Sequence, residues 1–372
     1  LWFVFLLVST RLLGANEFGQ TMLALSFASI LAAILDGGID SHVIRHLSAN
    51  PAAYPRLAAH SYALRVLSAL AVATVTLALY ALPGVVPVGP ALMLPVLAFV
   101  LFNNVMNHAR ALFRAFEVMR FEAISVAFEK GAVMALCLAP VLLAPRAQNY
   151  LLGYAAAYGL AAGATLIMAR RVTGPLQGPL EARLLWQEVL KPSLPFALMN
   201  LFAIVYFRSG TLLLSYLTGR DDLVGHYNAG YRLVESYMLF PTIITSPLYP
   251  VLARRRGEGP ALSHLLLEAA RVVLLLSLAI TLPLALYHRD FTALLFGRGF
   301  SEAATAVGIV VLAMIPVGMN FVFGTMVAAS GRQPLGNVLI FAITVMNVLL
   351  NLAVIPRFGA GGAAAVTVLT EL

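Results

Sequence analysis

About a dozen long apolar runs, separated by short polar connections, fill this chain from end to end. A run of roughly 20 apolar residues matches the hydrocarbon slab of a bilayer. Charged residues make up 11% of the chain and mean hydropathy is +0.90, against about 25% charged residues in soluble domains. These values exclude soluble enzyme classes. The predicted fold class is an all-α polytopic membrane protein of about 12 transmembrane helices.

The apolar runs place helices at about 1–12, 18–39, 61–82, 91–112, 121–144, 149–169, 194–217, 223–250, 263–286, 303–329, 334–356 and 359 onward. The first and last read as cut inside helices. The lone cysteine, Cys137, lies between Leu136 and Leu138 and reads as packing, with no disulfide partner. If the first helix runs outward, the inner side holds Arg45, Arg56, Arg65, Arg110, Arg114, Arg120, Arg170, Arg171, Arg183, Lys191, Arg254, Arg255, Arg256, Arg271 and Arg332. The outer side holds only Arg11, Arg146, Arg220, Arg289, Arg298 and Arg357. The positive-inside rule then puts the N-terminus in the cytoplasm. Short connections on both faces leave no extramembrane domain for a catalytic site.

The longest connection divides the chain into an N-terminal six-helix lobe (1–170), a cytoplasmic linker (171–193) and a truncated C-terminal lobe (194–372). Within the linker, apolar Leu180, Leu184, Leu185 and Val189 share a helical face, as in a helix lying in the membrane interface. The halves also echo one another. Leu13-Gly14-Ala15-Asn16-Glu17-Phe18-Gly19 follows the first helix, and Thr218-Gly219-Arg220-Asp221-Asp222-Leu223-Val224-Gly225 follows the seventh. A looser echo links Arg114 to Phe121 with Ala328 to Pro334. Internal repeats with a site between them are a recurring plan of secondary transporters.

Arg11-Leu12-Leu13-Gly14, Glu17-Phe18-Gly19, Asp36-Gly37-Gly38 and Arg45 resemble the start of the bacterial polysaccharide (O-antigen and exopolysaccharide) flippases. The second half carries the likeness further in Val224-Gly225-His226-Tyr227-Asn228-Ala229-Gly230-Tyr231-Arg232-Leu233-Val234-Glu235, Leu294 to Phe300, Ala328 to Arg332 and Ile355 to Ala364. That group is similar to the multidrug exporters and lipid II flippases of one superfamily. The resemblance implies a multidrug-exporter-like (MATE-like) fold with two six-helix lobes around a V-shaped cavity. It also implies an undecaprenyl-diphosphate-linked oligosaccharide as cargo, moved from the inner to the outer leaflet of the bacterial cytoplasmic membrane. Where family members often carry an acid after the arginine of the seventh helix, this chain has Ser209 and Gly210.

Three cations lie near the middle of apolar runs: Lys130, Arg208 and Arg232. Each costs at least ~2.5 kcal/mol on insertion scales and so marks an interior or a pathway. Arg208 stands roughly 20 Å and 16 Å from the two ends of its helix at 1.5 Å per residue, and its guanidinium fork suits phosphate oxygens. The competing reading is a structural partner for a carbonyl or carboxylate. Arg232 and Glu235 are spaced to pair locally. Lys130 and Glu129 are adjacent, about 100° apart around the helix, and are expected not to form a closed pair, one lining the cavity and the other meeting a neighbouring helix. Arg45 and Arg11 complete the candidate substrate-binding set, although orientation and lipid headgroups explain them equally well. Glu235, Glu129 and Asp36 are the candidate carboxylates for ion coupling.

His42 and His46 have a metal-compatible i,i+4 spacing, but with only His60 nearby no metal site is expected. Asn103, Asn104 and Asn107, like Asn347 and Asn351, suit hydrogen bonding between helices, with sugar binding as the alternative. Gly359 to Ala364 opens an apolar helix without a preceding strand, so it reads as close helix packing and no P-loop is present. No cofactor, nucleic acid or catalytic residue is expected, and the drive is an ion gradient or the membrane potential. The partners the resemblance implies are the lipid-linked oligosaccharide and membrane lipids, with other polysaccharide-assembly proteins as a further candidate. Two rivals remain: a multidrug exporter of the same fold, which should carry acids at mid-cavity, and a membrane glycosyltransferase or polymerase, which should carry a large outer domain.

Overall fold

The computed structural model describes residues 2–50, 54–80, 82, 86–173, 183, 185–254, 259–329 and 333–372, nearly all of them helical and none in a strand. The helices are α1 (Trp2–Asp36), α2 (Ile39–Ala49), α3 (Tyr54–Tyr80), α4 (Pro90–Ala115), α5 (Met119–Leu143), α6 (Ala147–Thr173) and α7 (Lys191–Thr218). They continue as α8 (Asp221–Tyr237), α9 (Leu239–Arg254), α10 (Gly259–Leu286), α11 (His288–Phe296), α12 (Ala304–Val310), α13 (Met314–Ala329) and α14 (Gln333–Glu371). Among the described residues nine helical stretches are long and apolar enough to cross a membrane. Two of them are double. α1 has 35 residues, about 52 Å at 1.5 Å per residue, and breaks at Gly14, whose φ is 72°. α14 breaks in the same way at Gly359, where φ is 52°. With the consecutive pair α8 and α9, of 17 and 16 residues, these breaks restore the dozen spans expected from the sequence.

Three local differences stand out. The expected 223–250 helix divides at Met238, and the 303–329 helix divides at the 3₁₀ turn Val311–Ala313. Between α1 and α3, where a loop was expected, α2 forms because Ile39, His42, Val43 and Leu47 recur on one face and are buried there, with Ser41, Arg45 and His46 outward. The amphipathic linker helix lies largely outside the described residues; its end, Leu185–Leu190, is a π-helical stretch leading directly into α7.

Contacts gather the chain into two compact units. One is Leu23–Arg208 with Trp2, and the other is Phe3–Met22 with Ser209–Leu372. The divisions fall inside α1 and α7. Within the first unit α6 is the hub, packed on α4 and on α5. Its small residues Gly153, Ala157, Ala161 and Thr165 recur every fourth position and let the neighbouring backbones approach.

The echoed glycines explain themselves in the second unit. Gly14 and Gly219 both take positive φ, 72° and 63°, a region other residues enter only at a cost. Gly19 and Gly225 then face each other's segments. A Cβ on Gly19 would stand 1.8 Å from the Asp221 carbonyl oxygen, and one on Gly225 would stand 2.0 Å from that of Ala15. The two copies of the repeat therefore cross backbone to backbone. Gly225→Ala should cost about 1–3 kcal/mol, because the atom it meets is main chain and cannot rotate away. Gly131→Ala, with nothing within 4 Å, is the control. Thermal unfolding in detergent should drop for the first and hold or rise for the second, since alanine favours an unobstructed helix position over glycine.

The turn after α4 ends in a Schellman pattern, with Val118 N–H donating to the Phe113 carbonyl at 2.9 Å. The residue at its left-handed position is Glu117, with φ 58°, where glycine is usual. Its echo around Gly331 lies outside the described residues. Glu117→Gly should raise thermal stability, by up to about 1 kcal/mol, and an unchanged or lower melting temperature would contradict the assignment of strain.

Candidate functional site

In the Leu23–Arg208 unit a cavity of about 430 Å³ opens among α1, α2, α3, α4 and α7. Polar side chains make up much of its wall. α1 contributes Ser29 and Asp36, α2 Asp40 and α3 Arg65. From α4 come Asn103, Asn104, Asn107 and Arg114, and from α7 Asn200 with Ile204. The i,i+4 spacing of Asn103 and Asn107 sets both amides on one face of α4, where Asn107 Nδ2 donates to Asn103 Oδ1 at 2.9 Å. Asn103, Asn107 and Asn200 are all half-buried, so they retain donors and acceptors toward the cavity.

Arg65 organises one side of this wall. Only 3% exposed, it places Nη2 2.8 Å from Asp36 Oδ1 and 2.5 Å from Asp40 Oδ1. Its Nη1 donates to the Asn104 carbonyl at 3.3 Å. Asp40 Oδ1 also meets His108 Nδ1 at 2.8 Å, and His108 Nε2 meets Ser61 Oγ at 3.0 Å. The order Asp, His, Ser resembles a nucleophile relay, but Ser61 is fully buried and its Oγ also donates to the Ala58 carbonyl. It has no route to a substrate. Burial alone would raise the Asp40 carboxyl, but the Arg65 guanidinium, with His108, outweighs it and holds the group well below the usual carboxylate range. Asp40 is therefore ionised at neutral pH.

A second buried network joins α4, α5 and α6. Arg110 Nη1 donates to Glu129 Oε2 at 2.7 Å and its Nε to Ser125 Oγ at 2.8 Å; Tyr158 donates to Glu129 Oε1 at 3.0 Å. Lys130 Nζ lies 2.9 Å from the same Oε1 and 4.3 Å from the centroid of the Trp2 ring. The expectation that Glu129 and Lys130 do not close on each other is thus incorrect. Their Cβ atoms diverge around the helix, but the long lysine side chain bends back, drawn by a carboxylate buried among apolar helices.

The remaining candidates are dispersed. Arg45 is exposed on α2, and Arg11, exposed on α1, donates to the Leu295 carbonyl at 2.8 Å. Arg232 and Glu235 form the local pair that their spacing allows, at 2.5 Å, and Arg232 Nη2 also meets Met22 Sδ at 2.9 Å. Arg208 is half-buried and continues the stripe of Asn200 and Ile204, about 6 Å beyond Ile204 at 1.5 Å per residue. Asn347 is glue between helices: it accepts from Ser209 Oγ at 2.6 Å and donates to Thr370 Oγ1 at 2.9 Å. His42 Nε2–H donates to the Glu188 carbonyl at 2.7 Å. The sequence reading missed Arg65, Arg110, Asp40 and His108. It counted both arginines only as inner-side cations near the ends of the 61–82 and 91–112 helices, whereas α3 begins at Tyr54 and α4 runs to Ala115. A cation with carboxylates at matching depth on neighbouring helices was the available signal.

Removing Arg65 would strand two carboxylates. Arg65→Met should destabilise the protein by about 3–5 kcal/mol, the usual cost of breaking a buried pair from one side. Joint replacement, Asp36→Asn and Asp40→Asn with Arg65→Met, should recover part of that loss. Thermal unfolding of the purified variants measures both, and an unaltered melting temperature in Arg65→Met would remove Arg65 from its organising place.

Comparison with known structures accords with this architecture. An inward-facing multidrug resistance MATE family transporter of the MOP superfamily aligns with 100% of this chain and 91% of its own, at 15% identity and a TM-score of 0.74. The lipid II flippase MurJ in an inward closed conformation aligns with 100% of this chain and 78% of its own, at 11% identity and a TM-score of 0.66. At these identities the likeness is one of fold. An uncharacterized membrane protein, MJ1068 of Methanocaldococcus jannaschii, is 26% identical over 163 residues, 42% of this chain and 31% of that protein. The match thus spans about a third of that curated relative's length. Residues 1–255 fit the sequence model described as "Polysaccharide biosynthesis protein", and the chain belongs to that family.

Proposed function

We propose that this protein is a flippase that moves an undecaprenyl-diphosphate-linked oligosaccharide from the inner to the outer leaflet of the bacterial cytoplasmic membrane by alternating access. The observation that carries the reading is the cavity of about 430 Å³ walled by carboxamides, carboxylates and guanidiniums in a chain otherwise this apolar. A glycan leaving water needs a hydrogen-bond partner for each hydroxyl it buries. Asn103, Asn107 and Asn200 supply donors and acceptors of that kind. Arg208, further along the Asn200 stripe, is the group assigned to the diphosphate, with Arg232, Lys130, Arg45 and Arg11 as the supporting cations. Membership of a polysaccharide biosynthesis family and the MATE-like fold support a transporter in preference to an enzyme.

All three candidate carboxylates are paired with cations; Asp36, the one of them on the cavity wall, is the carboxylate we assign to ion coupling, ahead of Glu129 and Glu235. The lobes are taken as 1–170 and 194–372, with the N-terminus cytoplasmic. A multidrug exporter of the same fold is the second reading, and the acids Asp36 and Asp40 on the wall favour it. Arg65 and Arg114 on the same wall offset them.

Export of surface polysaccharide in a strain lacking the native gene tests the assignment. Arg208→Ala should abolish export at normal membrane abundance, and Arg208→Lys, keeping the charge but losing the fork, should recover part of it. Full export by the triple alanine variant at 130, 208 and 232 would eliminate the cationic mechanism. Orientation has its own test. Ser48 and Asp290 are exposed, and Cys137 is buried and silent. Cysteine at Asp290 should react with an impermeant thiol reagent in intact cells and cysteine at Ser48 should not; the reverse pattern would invert the topology.

A further inference from the structure

The motif Val224-Gly225-His226 contains one side chain that transport leaves unused. His226 lies one turn into α8 and is 5% exposed. Its ring stacks edgewise near Phe300, centroids 6.2 Å apart, and among the described residues its nitrogens make no hydrogen bond. Two carboxylates face it. Asp222 is four residues earlier and hence on the same side of α8, and Glu302 comes from the 3₁₀ turn Arg298–Ala303. The ligand atoms of the three residues all lie within 4.8 Å of one another.

We propose that Asp222, His226 and Glu302 form a divalent-cation site of the kind that Zn²⁺ occupies. One imidazole nitrogen and two carboxylate oxygens are a donor set that Zn²⁺ accepts, with a fourth position left to water. The i,i+4 pair on one helix and a third ligand from a separate turn are the arrangement that closes such a site. Asp222, partly exposed, and Glu302, exposed, have room to draw inward onto the ion. Two features oppose it. The start of α8 carries a partial positive charge of roughly half a unit, which two carboxylates outweigh. Arg220 Nη2 already lies 2.5 Å from Asp222 Oδ2, but an exposed pair of this kind contributes little and yields to a dication. The bound ion would clamp the first turn of α8 to the Arg298–Ala303 turn within the Ser209–Leu372 unit. This inference is independent of the transport reading.

The test uses the full-length protein in detergent, stripped with a chelator and titrated calorimetrically with ZnCl₂. One saturable site is expected, with a rise in melting temperature on binding. His226→Gln and Glu302→Gln should each weaken it by at least about tenfold, as loss of a direct ligand requires, while the double variant His42→Gln with His46→Gln should bind as the parent does. Should His226→Gln fail to fold, the exposed Glu302→Gln alone decides. Absence of saturable binding, parental affinity in Glu302→Gln, or loss of binding in the His42 and His46 double variant would each overturn the site.

Discussion

The first unit depends on how it neutralises charge inside apolar helices. Arg65 is shared by Asp36 and Asp40, and Arg110 and Lys130 are shared by Glu129. The first cluster spans α1, α2 and α3, and the second spans α4 and α5 with Tyr158 adding α6, so each fixes helix positions as well as charge. In hydrocarbon an uncompensated ion is expensive enough that the helices are constrained to the register that pairs it. The consequence for function is that the cavity keeps its polar wall without loose charges: the ions on it are pre-paired, and the carboxamides between them remain open to a ligand.

The second unit relies on close backbone approach. Gly19 and Gly225 allow the two copies of the repeat to cross at main-chain distance. Hydroxyl and amide pairs such as Ser209 with Asn347 and Tyr227 with Thr367, at 2.6 and 2.9 Å, then join α7 and α8 to α14. α8 is buried along most of its length, from Val224 to Tyr231. That burial explains why the motif in this helix marks the fold more clearly than it marks a substrate.

Much of this was legible in the sequence. Apolar run length located the spans, and the echo around Gly14 and Gly219 pointed to the repeat whose segments cross. What remained hidden depended on depth and on neighbours from distant sequence. Arg65 and Arg110 read only as inner-side cations near the ends of the 61–82 and 91–112 helices, yet those helices extend beyond both, from Tyr54 and to Ala115, which sets the two arginines among neighbouring helices. Glu129 and Lys130 were judged by backbone angle, and side-chain length decided otherwise. His226 drew no notice because its two carboxylate neighbours come from different elements, one of them 76 residues away.

The central claim is that the polar interior carries a lipid-linked glycan across the bilayer. Reconstitution tests it most directly: the purified protein in liposomes, with a fluorescent undecaprenyl-diphosphate oligosaccharide in the inner leaflet and an impermeant glycosidase outside. The account expects protein-dependent, time-dependent cleavage of the glycan that slows when Asn103, Asn107 and Asn200 are replaced together by leucine. Cleavage no faster than in empty liposomes, with uptake of a cationic dye by the same vesicles, would contradict it and favour the multidrug exporter.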